Sequence, residues 1–271
     1  MIRCRSTGFT LTELAVVMAI IAVLIGGLLM PLAGQQDTRN RQDTEKALAV
    51  IQESLIGFAV VNGRLPCPAT PTLVSGTGGS CPAGGSATVA GCEATTGSGT
   101  SLACVNASGV LPWATLGLPE TDAWGNRYTY RVTPMYARGI DPAQAVFGGS
   151  CALNPSDHST YNPALADGPR QSAFAICTPG DITVQTTCAG GCTPAPTTLA
   201  SNVPAVVISH GKNAVGAWTT QGSRSPPIDP NEAENSNDDA TFVSNTAIDD
   251  LVQWIPNSQL INRMMTANKL P

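Results

Sequence analysis

The sequence predicts an α+β fold: one long N-terminal α-helix packed on a small antiparallel β-sheet, with disulfide-stapled loops. Three observations carry that expectation. An uncharged apolar run from Leu14 through Ala33 leads into an amphipathic segment that reaches Asn62. Beyond Asp122, short alternating segments separated by Gly and Pro read as strands. Eight cysteines after residue 60 are scattered through loop-like sequence, an even number that suits an oxidising compartment.

The helix comes first in the chain. Its apolar run approaches the roughly 20 residues that a helix needs to cross the hydrocarbon of a bilayer. Gly26, Gly27 and Pro31 should weaken or kink it locally. From Thr44 the sequence is strongly helical again, with Ala47, Leu48, Ile51, Leu55, Phe58 and Ala59 on one stripe. One helix from Phe9 to Asn62 would span roughly 80 Å at 1.5 Å per residue. Asn62-Gly63 ends it and Pro66 reinforces the stop. A lone carboxylate, Glu13, stands at the mouth of the apolar run, where a charge is costly without a partner.

Gly8-Phe9-Thr10-Leu11-Thr12-Glu13-Leu14 resembles the cleavage and assembly signal of type IV pilins and type II secretion pseudopilins. The resemblance implies a leader of residues 1–8, removed by a prepilin peptidase between Gly8 and Phe9, and methylation of the new N-terminus. Residues 9–34 then form a transmembrane and filament-core helix, residues 35–63 its amphipathic second half, and residues 64–271 a periplasmic or extracellular domain. Glu13 takes the position that the family uses to pair with a neighbouring subunit's N-terminal amine. Ammonium and carboxylate, each expensive alone in lipid, neutralise each other when subunits stack with a fixed offset. Arg3 and Arg5 hold the N-terminus in the cytoplasm. The expected partners are other pilin or pseudopilin subunits, the peptidase, an inner-membrane assembly platform and the membrane itself.

After the helix, residues 66–108 are rich in Gly, Ser, Thr, Ala and Cys with little periodicity, and need staples to be ordered. Cys4 lies in the leader. The others are Cys67, Cys81, Cys92, Cys104, Cys151, Cys177, Cys188 and Cys192. Sequence neighbours are the simplest pairing: Cys67–Cys81, Cys92–Cys104, Cys151–Cys177 and Cys188–Cys192. Zinc is disfavoured, because no Cys-x-x-Cys pair occurs and His158 and His210 are remote from paired cysteines.

The sheet is expected within residues 122–256. Asp122-Ala123-Trp124-Gly125-Asn126-Arg127-Tyr128-Thr129-Tyr130 resembles the run that opens the sheet of major pseudopilins, with Ala123 where Pro is usual. Trp124 should fill core and Gly125-Asn126 make a turn. Ala173–Cys177 and Ile182–Thr186 read as a hairpin, and Val203–Ser209 as a buried strand. The tail from Asn257 to Met265 has a possible N-cap and apolar i, i+4 pairs, which predict a short closing helix over 257–271.

Asp229, Glu232, Glu234, Asp238, Asp239, Asp249 and Asp250 crowd a stretch with no Lys or Arg between Arg224 and Arg263. Such a concentration is either solvated or neutralised, and carboxylates with Asn and backbone oxygens are what Ca²⁺ takes. Ile248–Trp254 also resembles the pseudopilin pattern in which an acidic loop before the final strand binds calcium. On this reading Asp249 and Asp250 are the first ligands, with Glu234, Asn235 and Asp238 next. A solvated loop is the alternative, and no other cofactor is expected.

The net charge is −5, and loss of Arg3 and Arg5 leaves 12 basic residues against 19 acidic, or −7. That balance disfavours a phosphate-binding surface, so no nucleic-acid partner is expected. A hydrolase would need a nucleophile beside a base, and no Gly-x-Ser-x-Gly elbow occurs. The reading is therefore a non-enzymatic structural subunit, a minor pilin or pseudopilin given its long Cys-rich domain. The alternatives are a receptor-like minor pilin that binds DNA or a surface, and a signal-anchored periplasmic domain unrelated to filaments.

Overall fold

A computed structural model of the chain describes residues 10–140, 171–176, 178–188 and 192–270; the side chains of residues 24–33 are outside the description. Gly8, Phe9, Cys151 and Cys177 lie outside the described residues. The chain divides into two compact units, Met1–Gln42 and Asp43–Pro271.

Helix α1, Leu11–Asn62, contributes to both units and runs without a break through Gly26, Gly27 and Pro31. In the first unit Leu11, Leu14, Val16, Val17, Met18, Ile20, Ile21 and Val23 are all exposed. Among the described residues no helix is long and apolar enough to cross a membrane. In the second unit the expected stripe is buried at Leu48, Ile51, Leu55 and Ala59 and half-buried at Ala47 and Phe58, and Ile56 joins it. The helix ends where Gly63 takes φ +69° and its N–H donates to Ala59 O at 2.7 Å. A Cβ at Gly63 would come within 2.0 Å of Gln171 O, so glycine is needed for approach as well as for φ.

Strands β1 (Thr95–Thr96) and β2 (Ala103–Cys104) pair with each other, and α2 (Trp113–Leu116) and α3 (Pro134–Ala137) are single-turn helices. Four further strands form the main antiparallel sheet, in the order β3 (Ser108–Val110), β4 (Thr129–Val132), β7 (Ala205–Ser209), β9 (Leu251–Ile255). Central β7 is buried at every position, which its unbroken apolar run requires. Gln52 of α1 crosses to β9, donating to Trp254 O at 3.1 Å and accepting from Gln253 Nε2 at 3.2 Å. Tyr128, Tyr130, Tyr136 and Phe174 join the α1 stripe, Leu260 and Met264 in one core. The last two come from helix α5, Asn257–Thr266, which closes the fold. Asn257 is not its cap: the Oδ1 accepts from Tyr136 OH at 3.1 Å instead.

A second sheet has the order β6 (Thr198–Val203), β5 (Ile182–Gln185), β8 (Thr241–Val243), and its β5–β8 pairing is parallel. Two expectations are corrected here. Residues 173–176 are not a strand: Ala175 and Thr178 bond each other through the Thr178 side chain and backbone, closing a turn. The Val203–Ser209 segment is split at Pro204, which has no N–H for a ladder, so β6 and β7 belong to different sheets.

The motif at Asp122 behaves as a turn. Its Oδ1 accepts from the N–H groups of Trp124 and Asn126, both at 2.9 Å, and its Oδ2 from Ser209 Oγ at 2.6 Å. Gly125 takes φ +87°. Trp124 packs partly buried against the main core.

In the Cys-rich loop the structure pairs Cys67–Cys104 and Cys81–Cys92, so the Cys67–Cys81 and Cys92–Cys104 expectation is corrected; Cys188–Cys192 is present as expected. The physical reason is the packing of Glu93 against Arg64. Their carboxylate and guanidinium meet in a two-pronged buried pair, with both contacts at 2.8 Å. Glu93 also accepts from the Cys67 N–H at 3.2 Å, and β2 (Ala103–Cys104) sets Cys104 opposite Thr95, two residues after Glu93, so Cys104 meets Cys67 and Cys92 is left for Cys81.

Candidate functional sites

The N-terminal site begins with a local rule of helix starts. Thr10 and Glu13 stand three apart, and their side chains and backbones bond reciprocally. The Thr10 N–H and Oγ1 each donate to Glu13 Oε2 at 2.8 Å, and the Glu13 N–H donates to Thr10 Oγ1 at 3.3 Å. This is a capping box, legible as Thr-x-x-Glu before an apolar run. It gives Glu13 an intramolecular partner and places the carboxylate at the positive end of α1. Gly8 and Phe9, the expected cleavage and methylation residues, lie outside the described part.

The second site is a cluster of carboxylates. Glu232, Asp249 and Asp250 each offer an oxygen within 4.8 Å of the other two. Three segments bring them together. Helix α4, Pro230–Glu234, starts at Asp229, whose side chain accepts from Asn231 N–H at 2.8 Å; this start turns Glu232, Asn235 and Ser236 inward. Asn235 then holds two neighbours: its Oδ1 accepts from Val243 N–H at 2.7 Å, and its Nδ2 donates to Asp250 Oδ2 at 2.7 Å. The loop after β7 supplies Asn213, whose backbone N–H donates to Asp249 Oδ2 at 2.8 Å and whose side chain donates to Glu232 Oε1. A Cβ on Gly211 would lie 2.5 Å from Asp249 O, so this close approach needs glycine at φ +59°.

The electrostatics of the cluster are unfavourable as it stands. Burial holds the Glu232 carboxyl above its ordinary range; the Asn213 amide pulls it down, and the charges of Asp250, Asp249 and Asp229 push it further up. Asp250 is only 5 % exposed, yet its Oδ1, like Asp249 Oδ1, has no hydrogen-bond partner. Nδ1 of buried His210 lies 3.6 Å from Asp250 Oδ1, too far for a hydrogen bond; its Nε2 meets Thr129 Oγ1 at 2.9 Å. Buried carboxylate oxygens are normally satisfied. Carboxylate oxygens brought together from two segments, the helix bearing Glu232 and the loop bearing Asp249 and Asp250, fit a hard divalent cation.

Of the ligands expected from sequence, Asp249 and Asp250 enter the cluster and Asn235 supports it from behind. Glu234 and Asp238 are placed elsewhere. Burial, then Asp239, raise the Glu234 carboxyl, and Asp238 pairs with Arg224 Nη1 at 2.9 Å. Glu232, which lies in the same acidic stretch but outside that expected ligand set, is the third member of the cluster. The usable signal was Asp229-Pro230, a helix start that puts residues 232, 235 and 236 on one face.

Residues 3–29 match the family described as the prokaryotic N-terminal methylation motif. Among curated proteins and solved structures, none matches the chain. The matched segment covers the capping box at Thr10–Glu13 and the start of helix α1, and the chain carries the prepilin-type signal of type IV pilins and pseudopilins.

Proposed function

We propose that the chain is a structural subunit, a minor pilin or pseudopilin, of a type IV pilus or type II secretion pseudopilus. The observation that carries this is the methylation motif at residues 3–29, set on the start of a 52-residue helix. The apolar run Leu14–Ala33 anchors the subunit in the inner membrane with its N-terminus in the cytoplasm. A prepilin peptidase cuts between Gly8 and Phe9, and the assembly platform moves the subunit into a filament by heterologous packing of α1. Glu13 exchanges its bonds to Thr10 for the amine of a neighbour. Two tests follow. Full-length protein co-expressed with a prepilin peptidase should begin at N-methylated Phe9 by intact mass and N-terminal sequencing; retention of Met1 overturns the reading. Glu13→Ala should be processed normally yet be missing from sheared filaments.

Calcium at Glu232, Asp249 and Asp250 is a second, compatible reading, favoured by the buried Asp250 Oδ1, which accepts no hydrogen bond. A bound divalent cation supplies the positive charge that lets three carboxylates share one site. At a calcium concentration of 100 times Kd, binding should add about 2.7 kcal/mol to the folded state. The thermal midpoint should rise accordingly in native protein and stay put in Glu232→Gln/Asp250→Asn. Equal rises in both proteins would remove calcium from this site.

A further inference from the structure

The carboxylate cluster is braced by a disulfide that does not belong to it. Cys188 and Cys192 share a small apolar cluster with buried Val243 and Ile248. Ile248 adjoins Asp249, and Val243 is the residue that Asn235 grips from both sides while it also holds Asp250. The Cys188 N–H donates to Asn231 Oδ1 at 2.9 Å, and Asn231 precedes Glu232 in α4. Thr186 O accepts from Asn245 Nδ2 at 2.8 Å, and Asn245 Oδ1 in turn caps Ala247 and Ile248 at 2.8 and 3.2 Å. One covalent clip therefore touches both arms of the cluster, the helix bearing Glu232 and the loop bearing Asp249 and Asp250. Without a cation those arms repel each other, so whatever fixes them bears on the site's affinity.

We infer that the Cys188–Cys192 disulfide and divalent-cation binding at Glu232, Asp249 and Asp250 are thermodynamically coupled, so that the oxidised protein binds the cation more tightly and the bound cation protects the disulfide. This rests on the cation reading above. Coupling between two equilibria is reciprocal, so both effects have the same factor. Reduction breaks the Sγ–Sγ bond and adds two electrons and two protons, giving two thiols; dithiothreitol supplies both and closes to its cyclic disulfide. The device makes cation loading follow oxidative folding: a subunit whose Cys188 and Cys192 are still thiols holds calcium poorly.

The experiment uses full-length protein in detergent and calcium chloride as the only added ligand. Calorimetric titration of native protein, of Cys188→Ser/Cys192→Ser and of Glu232→Gln/Asp250→Asn gives affinities. In parallel, native protein is equilibrated with graded dithiothreitol with and without calcium, and mass spectrometry of alkylated peptides counts the Cys188 and Cys192 thiols. That second measurement needs no variant. Expected are a roughly tenfold weaker affinity in the double-serine protein and a matching tenfold shift of the Cys188–Cys192 reduction equilibrium, within the usual range of coupling. The Cys81–Cys92 equilibrium should not shift. Unchanged affinity with an unshifted equilibrium overturns the coupling and leaves the cation site standing. No binding by native protein, or undiminished binding by Glu232→Gln/Asp250→Asn, overturns the site and the coupling together.

Discussion

Arg127 has no exposed surface, and every part of its guanidinium is used. Nε donates to Glu120 Oε1 at 2.8 Å, Nη1 donates to Pro71 O and Leu73 O at 2.9 and 2.8 Å, and the group lies 4.8 Å from the Trp113 ring centroid. Nη2 reaches Thr220 O at 3.3 Å. One side chain thus ties the Cys-rich loop and the Thr219–Ser223 turn to the start of the sheet. Removing one partner of a buried pair strands the other, which typically costs about 3–5 kcal/mol. Arg127→Met should therefore lose about that much in urea-unfolding free energy, with the folded state otherwise retained; a loss below about 1 kcal/mol would show the clamp to be incidental. Glu120 is seven residues away, but the carbonyls that complete the clamp come from segments about 55 and 93 positions away, so nothing in the sequence marks this residue as their hub. Glu13 is the opposite case: its partner Thr10 is three residues off, a local capping-box spacing, although the expectation for Glu13 looked to a neighbouring subunit instead.

The same distinction holds for whole elements. The helix stripe from Leu48 to Ala59 was legible because a period of 3.6 needs no knowledge of what lies opposite. The closing helix and the turn at Gly125-Asn126 were legible for similar local reasons. The pairing of Cys67 with Cys104 was not, since it depends on the Arg64–Glu93 pair that folds the intervening chain inward. Nor was the split at Pro204 into two sheets, although the missing N–H of proline was there to be used. The pairing has a measurable consequence. Cys67–Cys104 closes a loop of 37 residues in sequence separation, and Cys81–Cys92 one of 11 nested inside it. In the chain-entropy account the outer loop contributes about 4 kcal/mol and the inner one about 3. Cys67→Ala/Cys104→Ala should accordingly lower the chemical-denaturation midpoint more than Cys81→Ala/Cys92→Ala does. The reverse order would mean that the loop's contribution comes from strain or residual structure rather than from closure.

Across the whole molecule, one core couples helix α1, the main sheet and helix α5, and three of its members are tyrosines. Tyr130 donates to Pro66 O at 3.0 Å and Tyr136 to Asn257 Oδ1 at 3.1 Å, so the phenols are buried as neutral donors. Burial raises all three above the ordinary value of 10.0; Asp122 adds to the rise at Tyr128, and Glu93 adds to it at Tyr130 while Arg64 opposes. Between 10.0 and those raised values the folded protein keeps protons that the unfolded chain has released. Its stability is therefore at full value below pH 10 and falls as pH climbs through the window. Because the three rings sit in one core, they should not ionise one by one. An alkaline titration followed by tyrosinate absorbance and far-ultraviolet dichroism should show Tyr128, Tyr130 and Tyr136 ionising in a single step, coincident with loss of helix signal. Tyr128→Phe, Tyr130→Phe and Tyr136→Phe should each shrink that step by one ring, while a smooth titration near pH 10 with dichroism intact would mean that the core opens locally and that α1, sheet and α5 are not one cooperative body.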